Sequence, residues 1–423
     1  PPCINRVRSV ILGQTSIVFD QNGYSDIERW EPVSARARRR RCFYNRSDTL
    51  ACFIASRSDI DDVIPVLTAY QIEWNKLNAL LKRAPTDLIS RVDGQQSLAF
   101  KELAGILETT VDDLERLSIV WGDAFVPTLH EIAHHTCSFG VRLLSGSLSE
   151  YWRATRSWWD NIENACPEIL ERPVYFVSSN PHSMTNLLSG FALQYQQELV
   201  EYLEKAGNED LLEEWQGIQN CDVPSNIENF LYYMLKKYQQ SPAGSHLIQR
   251  QLDLEKEYGI HRIPSEHSFD VEAQVIDLSH LNPKTIDPRL SQDDWGFLKK
   301  TNALILNIDY PLGLAAYNIL SKVAEHTGAI QGVYTMGKAA TLNGVLGDVI
   351  IPNVVQDEHS QNTYLFQNAF SAGDVTPYLV YGTVLDNQKA VSVLGTFLQN
   401  ARITDVIYRE GYTDIEMECG PYL

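Results

Sequence analysis

Cysteine is sparse in this 423-residue chain: the seven, at 3, 42, 52, 137, 166, 221 and 419, are scattered, and none stands in a CxxC pair. That spacing argues against a zinc finger or a disulfide framework and fits a reducing cytosol. Long apolar runs are missing too. The most apolar stretch, Ala303 to Leu320, is interrupted by Asn307, Asp309, Pro311 and Asn318, short of the ~20 apolar residues that a membrane span needs. Positive charge is in deficit, 35 basic against 54 acidic side chains, for a formal charge of −19. A field of that sign repels phosphate backbones and anionic lipid, so neither a nucleic-acid polymer nor a membrane is expected as a partner. There is no internal repeat and no initiator Met. The chain starts Pro1-Pro2-Cys3 and stops at Pro421-Tyr422-Leu423, and the natural protein is expected to extend further.

What is present is the composition of a globular protein, 44% hydrophobic and 21% charged, long enough for two or three domains. Residues 1–255 read as a helix-rich region with a few short strands. Ile60, Val63, Ile64, Leu67, Tyr70, Trp74, Leu77 and Leu81 recur at helical spacing and predict a helix from Ser58 to about Ala84, with Ser58 as N-cap. A second helix is expected from Ser183 to Ala206, stopped by Gly207. Before it, Val174–Val177 reads as a strand followed by the polar loop 178–183, which is either an anion-holding helix start or an ordinary capped turn. The Pro- and Gly-containing stretch 241–268 is the expected connector.

Residues 256–423 alternate strand-like and helix-like patterns, which predicts an α/β domain. Strands are expected at 271–278, 303–308, 330–335, 348–355, 378–384, 405–408 and 414–417, and helices near 312–326 and 387–400. Ligands in such folds gather at the carboxyl ends of strands.

Three segments here carry chemistry. Ala303-Leu-Ile-Leu-Asn-Ile-Asp-Tyr-Pro-Leu-Gly313 leads through a helix to Gly332-Val-Tyr-Thr335-Met-Gly337; Gly347-Asp348-Val-Ile-Ile-Pro follows; Asp414-Ile-Glu416-Met417-Glu418 comes last. Glycines in such turns let a backbone approach a ribose or phosphate closely. In order and spacing these segments resemble the purine nucleoside phosphorylase/uridine phosphorylase superfamily, which includes nucleosidases, over about residues 300–423. The resemblance implies a mixed sheet flanked by helices, incomplete at its C-terminus, and a homo-oligomer. It assigns Glu418 to the ribose hydroxyls and Met417 to the sugar face, with Gly313 and Gly337 at the close approaches and Thr335 as a hydroxyl contact to phosphate or ribose. A carboxylate can grip a vicinal diol with both oxygens. Phe366, within the aromatic run 364–370, could stack on a base or pack a core. The resemblance also implies a catalytic acid about twenty residues beyond the Met-Glu pair, past Leu423. Gly332 stands where hexameric phosphorylases carry a phosphate-binding arginine, so hydrolysis is favoured over phosphorolysis, and phosphate remains only a possible co-substrate.

Two other constellations compete. His130-Glu131-Ile-Ala-His134 is an HExxH pattern that could place two zinc ligands on one helix face with Glu131 as base, Glu150 or Glu163 being the nearest third carboxylate. Arg36, Arg38, Arg39, Arg40 and Arg41 form a basic run suited to an anion, a solvated face or ion pairing. The expectation is thus a cytoplasmic protein that takes a purine nucleoside or nucleotide and cleaves its N-glycosidic bond, without a resident cofactor. The alternatives are a catalytically inactive nucleoside-binding or scaffold protein and, third, a zinc hydrolase.

Overall fold

In the computed structural model, which describes all residues but 35–39, 86, 94–96, 145–147, 266–269, 291–293 and 397–400, strands and helices mix in two compact units. The first comprises Pro1–Ile54 and Ile60–Gly146, the second Ala55–Asp59 and Ser147–Leu423. The division therefore falls near residue 147, and not at 255. Among the described residues no helix is long and apolar enough to cross a membrane.

The first unit is built on β1 (Ser9–Gly13), whose apolar run is buried on both faces. It pairs in parallel with β4 (Thr49–Phe53) and β5 (Gly140–Leu143), and β3 (Cys42–Tyr44) and β2 (Glu31–Pro32) continue antiparallel beyond β4. Because side chains alternate along a strand, Val10 and Leu12 pack with Leu50, Cys52 and Ile54, while Ile11 packs with Phe19, Ala51 and Phe53. The helix predicted from Ser58 to Ala84 is observed as Arg57–Leu81. Its Trp74 and Leu81 join Leu88, Leu103, Leu114, Phe125 and Leu129 in a separate helical core.

In the second unit the sheet order is β10 (Ala329–Thr335), β6 (Pro173–Ser179), β9 (Leu304–Asp309), β8 (Ala273–Asp277) and β7 (Ile260–Ile263). β10, β6 and β9 run parallel. β6 lies between two strands from beyond residue 300, and this pairing carries residues 147–255 into the α/β unit. Trp159, Ile162 and Ile319, from helices Leu148–Ala165 and Ala315–His326, cover Val174, Phe176 and Leu306 of the sheet. The other sheet has the order β11 (Ala340–Thr341), β15 (Asp414–Glu416), β14 (Val384–Ser392), β12 (Val349–Asp357) and β13 (Asn362–Leu365), with β12, β14 and β15 parallel.

Several predicted elements are corrected. The stretch 241–268 is not a connector: it holds the helix His246–Glu257 and β7, pinned where Arg262 grips the fully buried Glu255. The helix expected over 183–206 is three pieces, Ser183–Ser189, Phe191–Gln194 and Gln196–Ala206. The first break is Gly190, at φ +58°, where a Cβ would stand 2.0 Å from the Thr285 carbonyl oxygen. The strand expected at 378–384 starts only at Val384, after a short 3₁₀ turn Thr376–Tyr378 around Pro377. β14 then takes residues 387–392 of the helix expected at 387–400, since parallel neighbours on both sides satisfy its backbone. The strand expected at 405–408 is the helix Ala401–Arg409, with Arg409 and Asp405 paired one turn apart.

Candidate functional site

The carboxyl ends of strands in the second unit carry a ring of polar groups. β12 ends at Asp357, and the chain after it folds back on that carboxylate. Oδ1 of Asp357 accepts the His359 backbone N–H at 3.1 Å and faces His359 Nδ1 at 3.0 Å, and Oδ2 accepts the Ser360 N–H at 2.9 Å. Burial pushes the Asp357 carboxyl up, but the hydrogen bonds from Ser360 and His359 hold it below its ordinary value. An ionised carboxylate only accepts, so His359 Nδ1 carries a proton toward it, and in the neutral ring Nε2 is the acceptor.

His359 Nε2 is 3.5 Å from Ser58 Oγ, and that oxygen accepts the Leu314 backbone N–H at 2.8 Å. Ser58 is fully buried in the first turn of Arg57–Leu81. It is not the cap of that helix; Asp59 takes the capping role, accepting N–H groups from Ala55 and Ser56 at 2.8 and 3.1 Å. The neighbouring Gly313 N–H donates to Glu418 Oε1 at 3.2 Å. Gly313 has φ +52°, and a Cβ there would lie 2.4 Å from Ser58 Oγ, so only glycine fits.

The ring closes through the segment after β15. Glu416 Oε2 accepts the N–H groups of Glu418 and Cys419, both at 2.6 Å, and its other oxygen takes the Ser392 hydroxyl at the end of β14. Gly420 N–H donates to Ser392 Oγ at 2.7 Å and packs so tightly on Asp357 that a Cβ would approach its Cβ to 2.6 Å. Burial pushes the carboxyls of Glu416 and Asp414 up, Asp414 to about 7 with help from the Glu416 charge. Burial also raises the Cys419 thiol and the Tyr422 phenol, which keeps both neutral. The arrangement offers a carboxylate at a fixed backbone amide and, across Gly313, an oriented imidazole.

Of the residues singled out from sequence, Glu418 and Gly313 come together. Met417 is buried beside them with Val391, Val393 and Ile415, with Leu312 against that cluster. Thr335 and Gly337 are exposed at and beyond the end of β10, and Phe366 is half-buried with its N–H on the Asn353 carbonyl. The hydrogen bonds that build the ring do not involve these three. Asp348 serves the architecture instead, since its carboxylate accepts N–H groups from Val345 and Thr383, each at 2.8 Å, and so ties two loops. The loop 178–183 is a capped turn, Asn180 Oδ1 accepting from His182 and Ser183.

His130 and His134 lie exposed on the helix Phe125–His134, and His134 Nδ1 is 2.7 Å from the His130 carbonyl oxygen. Among the described residues no group of three His, Cys, Asp or Glu is placed to hold a metal. Glu131 takes a hydrogen bond from Asn5 instead, and Glu163 accepts from Trp159 at 3.1 Å. Arg36, Arg38 and Arg39 lie outside the described residues. Arg40 is buried, and Arg41 pairs with Glu28 at 3.2 Å and covers the Phe53 ring.

Ser58, Asp357, His359 and Ser392 were not singled out as site residues. The available signal was the polar cluster Asp357-Glu358-His359-Ser360 directly after an apolar strand. No curated protein matches the chain. Over residues 1–423, the whole length, it matches and belongs to the family of unknown function DUF6909.

Proposed function

We propose that the second unit binds a purine nucleoside or nucleotide and cleaves its N-glycosidic bond, by hydrolysis rather than phosphorolysis. One observation carries this reading: the Gly313 amide holds the Glu418 carboxylate, although 105 residues separate them in sequence. These are the two segments whose resemblance to the nucleoside phosphorylase superfamily implies a ribose site. Their meeting at the carboxyl ends of strands supports such a site, and the parallel strands β12, β14 and β15 suit a nucleoside-phosphorylase-like fold. Glu418 takes the ribose hydroxyls and Met417 supports the sugar from the apolar side. Thr335, Gly337 and Phe366 belong to the same reading, as contacts to phosphate, sugar and base.

A homo-oligomer belongs to the proposal, supported by the exposed apolar side chains Val345, Leu346, Val380 and Tyr381 about the Gly347–Tyr381 contact.

The test is release of free base from adenosine, inosine, guanosine and their 5′-monophosphates, with and without inorganic phosphate. We expect phosphate-independent release that Glu418→Ala abolishes. Release that needs phosphate would make the protein a phosphorylase. Nucleosides that raise the melting temperature without turnover would make it a binding protein.

A further inference from the structure

We propose that His359, oriented by Asp357, is the catalytic base that draws the proton from the attacking water in this site, and that Ser58 is a positioning residue for that water. The proposal rests on the glycosidic-cleavage reading above and adds to it the group that activates the nucleophile.

The geometry singles out one nitrogen. His359 is anchored twice on Asp357 Oδ1, through its backbone N–H and through Nδ1, so the ring cannot turn without losing a charge-assisted bond. Its side chain is 7% exposed. Nε2 then points to Ser58 Oγ and lies 3.4 Å from where a Gly313 Cβ would be, while the N–H of the same glycine is on Glu418. The acceptor nitrogen and the ribose carboxylate thus both neighbour one residue, Gly313, and in this proposal the carboxylate grips the sugar while the nitrogen activates the nucleophile at its anomeric carbon.

The other polar groups of the ring are committed elsewhere. Glu416 is occupied by Ser392, Glu418 N–H and Cys419 N–H. Asp59 is occupied by the amides of Ala55 and Ser56. Ser58 Oγ accepts from Leu314, so its own proton is directed away from that amide, toward Nε2. A water arriving beside Ser58 meets the same acceptor.

The step balances without another reactant. Water oxygen bonds to the anomeric carbon as the carbon–nitrogen bond breaks, and the electron pair of that bond passes to the base nitrogen. One water proton moves to His359 Nε2, where the Asp357 carboxylate stabilises the imidazolium, and is then returned to the base nitrogen. Nucleoside and water give free sugar and free base.

The experiment uses the full chain and the nucleoside panel above. His359→Asn keeps a donor for Asp357 and removes Nε2; His359→Gln serves if that variant does not fold. We expect kcat to fall about 10²–10⁴-fold, the nucleoside-induced rise in melting temperature to persist, and imidazole to restore part of the rate to His359→Gly. Ser58→Ala should lose far less. Base release by His359→Asn within tenfold of wild type, or loss of binding together with turnover, overturns the assignment. A Ser58→Ala loss as large as that of His359→Asn also overturns it, because the serine would then be the nucleophile. If wild type releases base and Glu418→Ala does not, yet His359→Asn is active, the cleavage reading stands and this one falls. If wild type releases no base from any member, both fall.

Discussion

Gly313 donates its backbone N–H to Glu418 at 3.2 Å while its α-carbon faces Ser58 so closely that no side chain fits between them. One residue without a side chain therefore links the loop after β9, the turn after β15 and the start of the helix Arg57–Leu81. Its positive φ aims the amides of residues 313 and 314 at two different oxygens.

Gly313→Ala should accordingly destabilise the protein by about 1–3 kcal/mol, through the strained backbone and the displaced Ser58. Gly337→Ala is the matched control: nothing lies within 4 Å of its added Cβ, and a change within about 0.5 kcal/mol is expected. Urea unfolding of both variants decides, and equal midpoints would refute the crowding at Gly313.

Part of the fold was legible because a buried parallel strand reads as a continuous apolar run, as Leu304–Asp309 does. The more exposed Ala329–Thr335 and Val349–Asp357 are marked by their β-branched and aromatic residues instead, and all three lie within a few residues of their expected places. Residues 384–409 misled, because short apolar runs such as Val391-Ser-Val393 and Val406-Ile407 fit either period until pairing decides. The site was half legible. Glu418 and Gly313 stand in segments with a recognisable order, whereas Ser58 meets His359 from 301 positions away. A serine before acidic residues at a helix start reads as a cap, and only the tertiary structure gives that oxygen to Leu314 instead.

Arg262 and Glu255 test whether 241–268 is core and not connector. Both Glu255 oxygens are held by Arg262, at 2.8 and 2.5 Å, and Gln251 adds a third bond at 2.8 Å. Arg262→Leu strands a fully buried carboxylate and should cost about 3–5 kcal/mol. The double variant Glu255→Leu/Arg262→Leu should recover part of that loss. A double-mutant cycle by urea unfolding measures the coupling, and additive losses would mean the pair contributes nothing jointly.

Asp277 ties acid stability to the groups that hold its carboxylate, Arg172, Ser279 and the neighbouring His280. Burial pushes its carboxyl up, but two 2.8 Å bonds from Arg172 and those from Ser279 hold it well below the ordinary carboxylate range. A depressed folded-state value means stability that is present above the unfolded value of ~3.9 and lost as pH falls below it. Asp277→Asn should cost about 2–4 kcal/mol at pH 7, and the gap from wild type should shrink as pH falls below about 4. Unfolding curves of the two proteins between pH 3 and 7 check this; a constant gap would show that the charge is not what matters.

Asp414 gives the opposite dependence. It is 4% exposed at the start of β15, and its Oδ1 finds no hydrogen-bond partner among the described residues. Burial and then the Glu416 charge raise the carboxyl to about 7, against a smaller pull from the Ile415 N–H. With the folded value above the unfolded ~3.9, the folded protein holds the extra proton. This contribution is complete below ~3.9, declines as pH rises to about 7, and changes no further above it. Asp414→Asn removes that penalty, so its stability relative to wild type should climb across the window by at most about 1.4 kcal/mol per pH unit and then level off. Asp348→Asn is the contrasting control, because the Val345 and Thr383 amides hold the Asp348 carboxyl below its ordinary value; it should lose stability relative to wild type above pH ~4. Unfolding in urea at pH 4.5, 6 and 7.5 separates the two signs, and a flat difference for Asp414→Asn would show that its carboxyl is ionised in the folded protein throughout that range.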